Sequence, residues 1–293
     1  MRKNIKYHLL YGAANLTAML PFCVLYFFSD LVYPFVYYIV KYRRKVVRKN
    51  LLNSFPQKSQ KEIEHVEKKF YRHLCDYFVE TIKTLRLSDK EARKRMKFEN
   101  PELINHLTEN GNTCFLSLGH YGNWEWVPSI GMCLQSNVEQ GLIYKQLKSE
   151  AFDRLFLNIR TRFSPVPIEK DSALRKIIKQ RNDGKTMVIG FLTDQRPQRN
   201  QAQYWTNFLN QDTPVQIGME RIARQLGFSV VYLDIVKVKR GHYVGKFFVI
   251  TPDASKEEEF AVTERYMRRL EETILNEPAY YLWSHNKWKF GRS

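Results

Sequence analysis

Between residues 113 and 192, short apolar runs rich in Phe, Leu, Val and Ile alternate with stretches of helical periodicity, and this rhythm restricts the fold more than any other feature of the chain. The spacing predicts strands over 113–118, 141–144, 163–168 and 186–192, with helices over 123–134, 149–161 and 172–182 between them. Such alternation implies an α/β fold, a mixed sheet covered by helices. A helix over 216–226, strands over 228–238 and 243–251, and a charged helix over 256–276 extend it. Upstream, Ile63, Val66, Phe70, Leu74, Phe78 and Ile82 recur at helical spacing and predict one long amphipathic helix over 61–87. Asp76 and Glu80 beside that stripe read as solvated edge residues. With 293 residues, 44% of them hydrophobic, the chain can bury a full core.

The N-terminal segment has a different character. Residues 9–29 carry no Asp, Glu, Lys or Arg, and after Asp30 a second uncharged stretch covers 31–40. About twenty apolar residues cross a bilayer. Arg2, Lys3 and Lys6 precede the segment, and Lys41, Arg43, Arg44, Lys45, Arg48 and Lys49 lie just after it. The heavier downstream cluster predicts that the rest of the chain lies on the cytoplasmic side. Pro21, Asp30 and Pro34 interrupt the run, so an interfacial or kinked hairpin stands beside a spanning helix, and a buried helix of a soluble protein is the bland alternative. A cleaved signal peptide fits poorly, since the run has no small-residue cleavage site after it. The chain therefore divides into a membrane anchor with its basic flank, residues 1–50, and one globular domain, residues 51–293.

A formal net charge of +17 and a pI near 9.6 call for a negatively charged partner, with anionic membrane and nucleic acid as the two candidates. The basic residues are scattered and form no recognised nucleic-acid motif, which disfavours a membrane-anchored nucleic-acid binder. Cys23, Cys75, Cys114 and Cys133 lie far apart without ligand spacing, so neither disulfides nor a structural metal is expected.

One stretch could carry chemistry. Gly119-His120-Tyr121-Gly122-Asn123-Trp124-Glu125 comes directly after the apolar strand 113–118 and opens the next helix. Residues five apart on a helix are rotated by about 140° and do not face each other, so His120 and Glu125 can meet only across a turn. Gly119 and Gly122 permit one. An imidazole at a strand end, hydrogen-bonded to a carboxylate, has the parts of a general base with its orienting partner. Backbone N–H groups at Gly122 and Asn123, the candidate N-cap, are candidates for stabilising an oxyanion. The alternative is a satisfied buried histidine and a solvated first-turn acid. Ser117 lacks the sharp elbow of a serine hydrolase.

The segment from Gly119 to Glu125 resembles the His, four residues, acid motif of glycerolipid-type acyltransferases, in the form seen in the late acyltransferases of lipid A biosynthesis. The resemblance runs from about Tyr71 to Phe290. It includes Gly141-Leu142-Ile143-Tyr144-Lys145, where the family more often has Arg than Lys145, and Asp194-Gln195 at a strand end. It also includes Trp205-Thr206-Asn207-Phe208-Leu209, the pair Arg221 and Arg224, and the closing block Glu277-Pro278-Ala279-Tyr280-Tyr281-Leu282-Trp283-Ser284-His285-Asn286-Lys287-Trp288-Lys289-Phe290. The resemblance implies a glycerolipid acyltransferase-like fold and transfer of a fatty acyl chain from acyl carrier protein to a hydroxyl of a lipid A precursor. His120 and Glu125 would be catalytic, and Lys145, Asp194, Gln195, Arg221 and Arg224 would bind substrate, with no cofactor or metal. Acyl carrier protein, the lipid A precursor and anionic membrane lipid would be the partners, and the bacterial inner membrane, on its cytoplasmic face, the location. Another lipid acceptor, such as a glycerophospholipid, a phosphatidylinositol mannoside or an aminolipid, with acyl-CoA or acyl carrier protein as donor, is the alternative within the same chemistry.

Overall fold

The computed structural model describes residues 2–292 and shows a seven-stranded mixed sheet covered by helices. Two N-terminal helices, α1 (Arg2–Met19) and α2 (Phe22–Pro34, continued by a π-helical turn over Phe35–Val40), lead into α3 (Arg44–Ser54) and the long α4 (Gln60–Lys83). Ser59 starts α4 with a capping box, its hydroxyl accepting from the Glu62 N–H while the Glu62 carboxylate takes the Ser59 N–H. Next along the chain are α5 (Asp89–Arg95), β1 (Met96–Glu99), α6 (Glu102–Thr108), β2 (Cys114–Leu118), β3 (Val138–Tyr144), α7 (Glu150–Arg160), β4 (Val166–Glu169), α8 (Ala173–Asn182) and β5 (Thr186–Leu192). A hairpin of β6 (Tyr204–Phe208) and β7 (Gln211–Val215) precedes α9 (Gly218–Leu226), β8 (Ser229–Lys239), β9 (His242–Thr251) and α10 (Ala261–Asn276).

The strand order is β1-β9-β8-β2-β5-β3-β4. β8, β2, β5, β3 and β4 run parallel, whereas β9 folds back antiparallel on β8 and carries β1 parallel to itself. Central β2 is buried at all five positions, as expected of a strand covered on both faces. Ligand sites in such sheets lie beyond the carboxyl ends of the parallel strands, and β2 and β5 are neighbours there.

Three expectations need correction. The segment expected as a helix over 123–134 is a run of 3₁₀ turns over Trp124–Cys133, because Pro128 inside it has no N–H to donate and its ring crowds the preceding turn. Residues 204–215, where the spacing predicts no strand, form the β6–β7 hairpin. Leu209 and Asn210, both in the left-handed region at φ 53° and 60°, supply its two-residue turn. Asp76 and Glu80 are buried rather than solvated. Glu80 accepts hydrogen bonds from the Tyr26 hydroxyl (2.9 Å), the Tyr243 hydroxyl (2.8 Å) and the Asn123 amide (2.7 Å). Asp76 accepts from the Ser29 hydroxyl at 2.8 Å and from Arg240 at 2.6 Å. The periodicity of α4 marks its apolar stripe correctly, but α2 lies over a second side and brings hydroxyls to meet the carboxylates.

Glu80→Ala leaves the buried Asn123 and Tyr243 donors and the half-buried Tyr26 hydroxyl without an acceptor, each buried one costing about 1–3 kcal/mol. A loss of about 3 kcal/mol or more is the expected result of urea unfolding, whereas removal of a solvated edge residue would leave the midpoint unchanged.

Candidate active site

The register of two neighbouring parallel strands assembles the centre of the site. Leu118 of β2 pairs with Leu192 of β5, and two residues beyond that pair stand His120 and Asp194. The His120 ring Nδ1 lies 2.6 Å from Asp194 Oδ1, and the His120 backbone N–H donates to Oδ2 at 3.2 Å. Gln195 brings its side-chain nitrogen to 3.2 Å from His120 Nε2. A carboxylate only accepts and an amide nitrogen only donates, so the neutral ring carries its proton on Nδ1 and offers its Nε2 lone pair to the Gln195 amide. That tautomer is the one a general base requires.

Asp194 is buried, and the Lys287 ammonium donates to its backbone carbonyl. Burial alone would raise the carboxyl, but the His120 imidazole and the Lys287 charge outweigh it and hold Asp194 down at about 2. Burial pulls Lys287 itself down to about 8, against the pull of Asp194. The loop between β2 and the 3₁₀ turns bends as its glycines suggest, though for two different reasons. Gly122 has φ +60°, which side chains with a Cβ rarely adopt. At Gly119 the constraint is space, because a Cβ there would collide with a Leu270 methyl unless that side chain shifted.

Glu125 does not hold the ring. Its buried carboxylate takes two strands of a guanidinium fork from Arg160, the last residue of α7, with Arg160 Nη2 at 2.7 Å and Nε at 2.9 Å, and the Tyr77 hydroxyl reaches it at 3.4 Å. Burial works against the Arg160 charge, but Glu125 more than compensates and keeps the guanidinium above its ordinary range. Trp124 separates the two acid–base pairs, its ring edge-on to His120 at 5.1 Å and stacked on Tyr77 at 4.2 Å. The physical reason for the exchange of partners is the sheet: β5 delivers a carboxylate to the ring at equal offset from a paired residue, while the 3₁₀ geometry turns Glu125 toward α7.

His120, Glu125 and Arg160 border one cavity of about 320 Å³. Its walls are apolar at Leu142, Phe191, Leu192, Met219 and Ile222, and Lys145 and Lys170 stand on its rim. Lys170 is pulled below its ordinary value by burial and by the neighbouring Lys145 charge, and donates to Gln216 at 2.7 Å. Of the residues expected to bind substrate, Lys145 and Gln195 line this space. Asp194 is withdrawn behind His120, where it orients the ring and has no free face for a ligand hydroxyl. Arg221 is exposed on the outer side of α9 and Arg224 donates to the Glu257 carbonyl at 3.2 Å, while Gly218, Met219 and Ile222 present the cavity side of the same helix. Of the two oxyanion candidates, the Gly122 N–H is taken by the Tyr280 carbonyl at 3.0 Å, and Asn123, whose side-chain amide donates to Glu80, is fully buried.

Arg160 and Lys170 escape sequence reasoning. An Arg ending a predicted helix and a Lys in a loop carry no signal that separates them from solvated charges. Among the described residues no group of three or more His, Cys, Asp or Glu is arranged to hold a metal ion. His285 in the closing block is drawn down to about 4 by burial, so it stays neutral near pH 7.

The chain as a whole has relatives. A family model described as bacterial lipid A biosynthesis acyltransferase matches residues 2–290. The lipid A biosynthesis palmitoleoyltransferase of Escherichia coli (strain K12) is 24% identical over 284 residues, covering 95% of this chain and 89% of the relative. A lipid A biosynthesis acyltransferase of Shigella flexneri matches with the same identity and coverage.

Proposed function

Because this chain belongs to the bacterial lipid A biosynthesis acyltransferase family, we propose that it moves a fatty acyl chain from an acyl carrier protein thioester to a hydroxyl of a lipid A precursor, with His120 as general base. The observation that carries the mechanism is the 2.6 Å contact between His120 Nδ1 and Asp194 at the mouth of an apolar cavity.

In this mechanism the acceptor hydroxyl displaces the Gln195 amide from His120 Nε2, which then takes the hydroxyl proton as its oxygen attacks the thioester carbonyl. The tetrahedral intermediate collapses by breaking the C–S bond, and the imidazolium returns the proton to the departing thiolate. Ester and free thiol leave, and the ring regains its starting tautomer. Asp194 keeps the ring oriented and stabilises its transient positive charge. Glu125 serves as the counter-ion that fixes Arg160, whose positive charge at the cavity wall favours the oxyanion. The apolar walls suit an acyl chain, and Lys145 and Lys170 suit the phosphates of the acceptor. The basic surplus of the chain likewise favours an acidic carrier protein and the anionic cytoplasmic leaflet of the inner membrane.

Purified protein is expected to acylate a lipid A precursor from an acyl carrier protein thioester faster than from the CoA thioester, read by mass spectrometry of the product. His120→Ala should lower that rate about 10³-fold or more, the usual worth of a positioned base. A folded His120→Ala protein within tenfold of the parent rate overturns the mechanism, and a preference for CoA overturns the donor.

A further inference from the structure

We infer that α2 and its π-helical extension lie flat on an anionic lipid bilayer as an interfacial helix, instead of crossing it. The segment Phe22–Val40 has 19 residues and the apolarity of a membrane span. At about 1.5 Å per residue it is about 28 Å long, close to the thickness of a hydrocarbon core. Length and composition alone therefore favour spanning. The contacts of the helix forbid it.

At every turn, one side of this helix is fastened to the globular domain. Arg95 sits 3.4 Å over the Phe22 ring, Tyr26 donates to Glu80, and Ser29 donates to Asp76. Asp30 pairs with Arg240 at 2.7 Å, Arg72 lies over Tyr33 at 5.0 Å, and Arg44 covers the fully buried Tyr37 at 4.2 Å. To span, the helix would have to shed these bonds or draw α4, with Glu67, Arg72, Asp76 and Glu80, into hydrocarbon. A single charge at the bilayer centre already costs several kcal/mol. A helix with one polar, anchored side and one apolar side is built for the interface plane.

The free side has the matching chemistry. Phe27, Leu31, Phe35, Tyr38 and Ile39 are each more than half exposed. α1 repeats the arrangement: Ala14 and Ala18 are buried, Asn15 accepts from Arg86 at 2.8 Å, and Leu9, Leu16 and Met19 face outward. At the end of the apolar face, a groove of about 720 Å³ is bordered by Lys41, Lys45 and Lys49. Among the described residues these three lysines have no ion-pair partner, whereas Arg44 and Arg48 share the Glu67 carboxylate. An apolar strip ending in unpaired lysines complements acyl chains beneath anionic headgroups. These contacts hold whichever acyl donor or acceptor the enzyme uses.

The test uses the full chain with Cys23→Ser and Cys133→Ser, carrying one fluorophore introduced through Phe28→Cys, Leu31→Cys or Ile39→Cys, on vesicles of phosphatidylglycerol and phosphatidylethanolamine. Quenching by lipids brominated at graded depths should place all three probes at one shallow depth. A probe at position 31 near the bilayer centre, with the other two at clearly different depths, overturns the inference. Lys41→Glu, Lys45→Glu and Lys49→Glu together should weaken binding to the anionic vesicles about a hundredfold and change binding to neutral phosphatidylcholine vesicles little. Self-association of the protein through the same face, with no vesicle binding, would identify a second copy as the occupant and equally overturn the proposal. Unchanged thermal melting of the triple variant keeps the comparison between folded proteins.

Discussion

Asp194→Asn is expected to cut the acyl transfer rate about 10⁴-fold, the size of effect seen when the orienting carboxylate of a catalytic histidine becomes an amide, while KM changes by no more than a few fold. An amide nitrogen facing Nδ1 would demand a ring that accepts there, so the proton would move to Nε2 and cover the lone pair that must take the substrate proton. KM is spared because Thr193 and Gln195 border the cavity and Asp194 does not. The carboxylate's own titration lies far from working pH. With the folded carboxyl at about 2 against an ordinary 3.8, its stabilising contribution is complete above the ordinary value and is lost as pH falls through the folded one. Asp194 is therefore expected to leave no limb in the rate profile between pH 5 and 9, and thermal melting should show its loss only in strong acid. An Asp194→Asn enzyme within tenfold of the parent would show that the ring does not depend on this group.

Arg160→Ala should both unfold the protein more easily, by about 3–5 kcal/mol, and abolish transfer. The stability loss arises from leaving the Glu125 carboxylate buried without its counter-charge, which is far costlier than losing both members of a pair. The double variant Arg160→Met, Glu125→Leu is accordingly expected to regain most of the stability, because an apolar pair of similar volume leaves nothing charged to solvate. It should not regain activity, because the positive charge beside the reacting carbonyl is gone. Urea unfolding and transfer assays on the single and double variants separate the two effects. A double variant with near-parental rate would remove the pair from the chemistry and leave it a structural bridge between the 3₁₀ segment and α7.

Both predictions depend on a pairing that spacing cannot reveal. His120 and Glu125 are both legible as chemistry-bearing residues, since an imidazole after a buried strand and an acid five residues on are conspicuous. Which carboxylate meets the ring is another matter. Asp194 lies 74 residues from His120 along the chain; that both follow strand ends already places them at one edge of the sheet, but only the pairing of Leu118 with Leu192 makes their side chains neighbours there. Arg160 is harder still, because an arginine at a helix end is ordinarily a solvated charge and nothing local announces that Glu125 waits opposite it. Glu80 reads as solvated for a related reason: periodicity reports one buried stripe, and α4 is covered on more than one side.

Periodicity is a local property, and what it governs is open to reading along the chain: the alternation of β2, β3, β4 and β5 with their helices, the long α4, the glycine-bracketed bend before Glu125 and the apolar N-terminal run. Those features depend on backbone preference and on burying apolar surface within a few turns, so neighbouring residues suffice to specify them. Strand order, the choice of ring partner and the fastening of α2 along α4 depend on groups far apart in the chain. Their free energies come from matching charges and donors that meet only when the sheet has closed, so tertiary structure alone decided that Asp194 serves His120, that Arg160 claims Glu125, and that a segment long enough to cross a bilayer is tied down on one side.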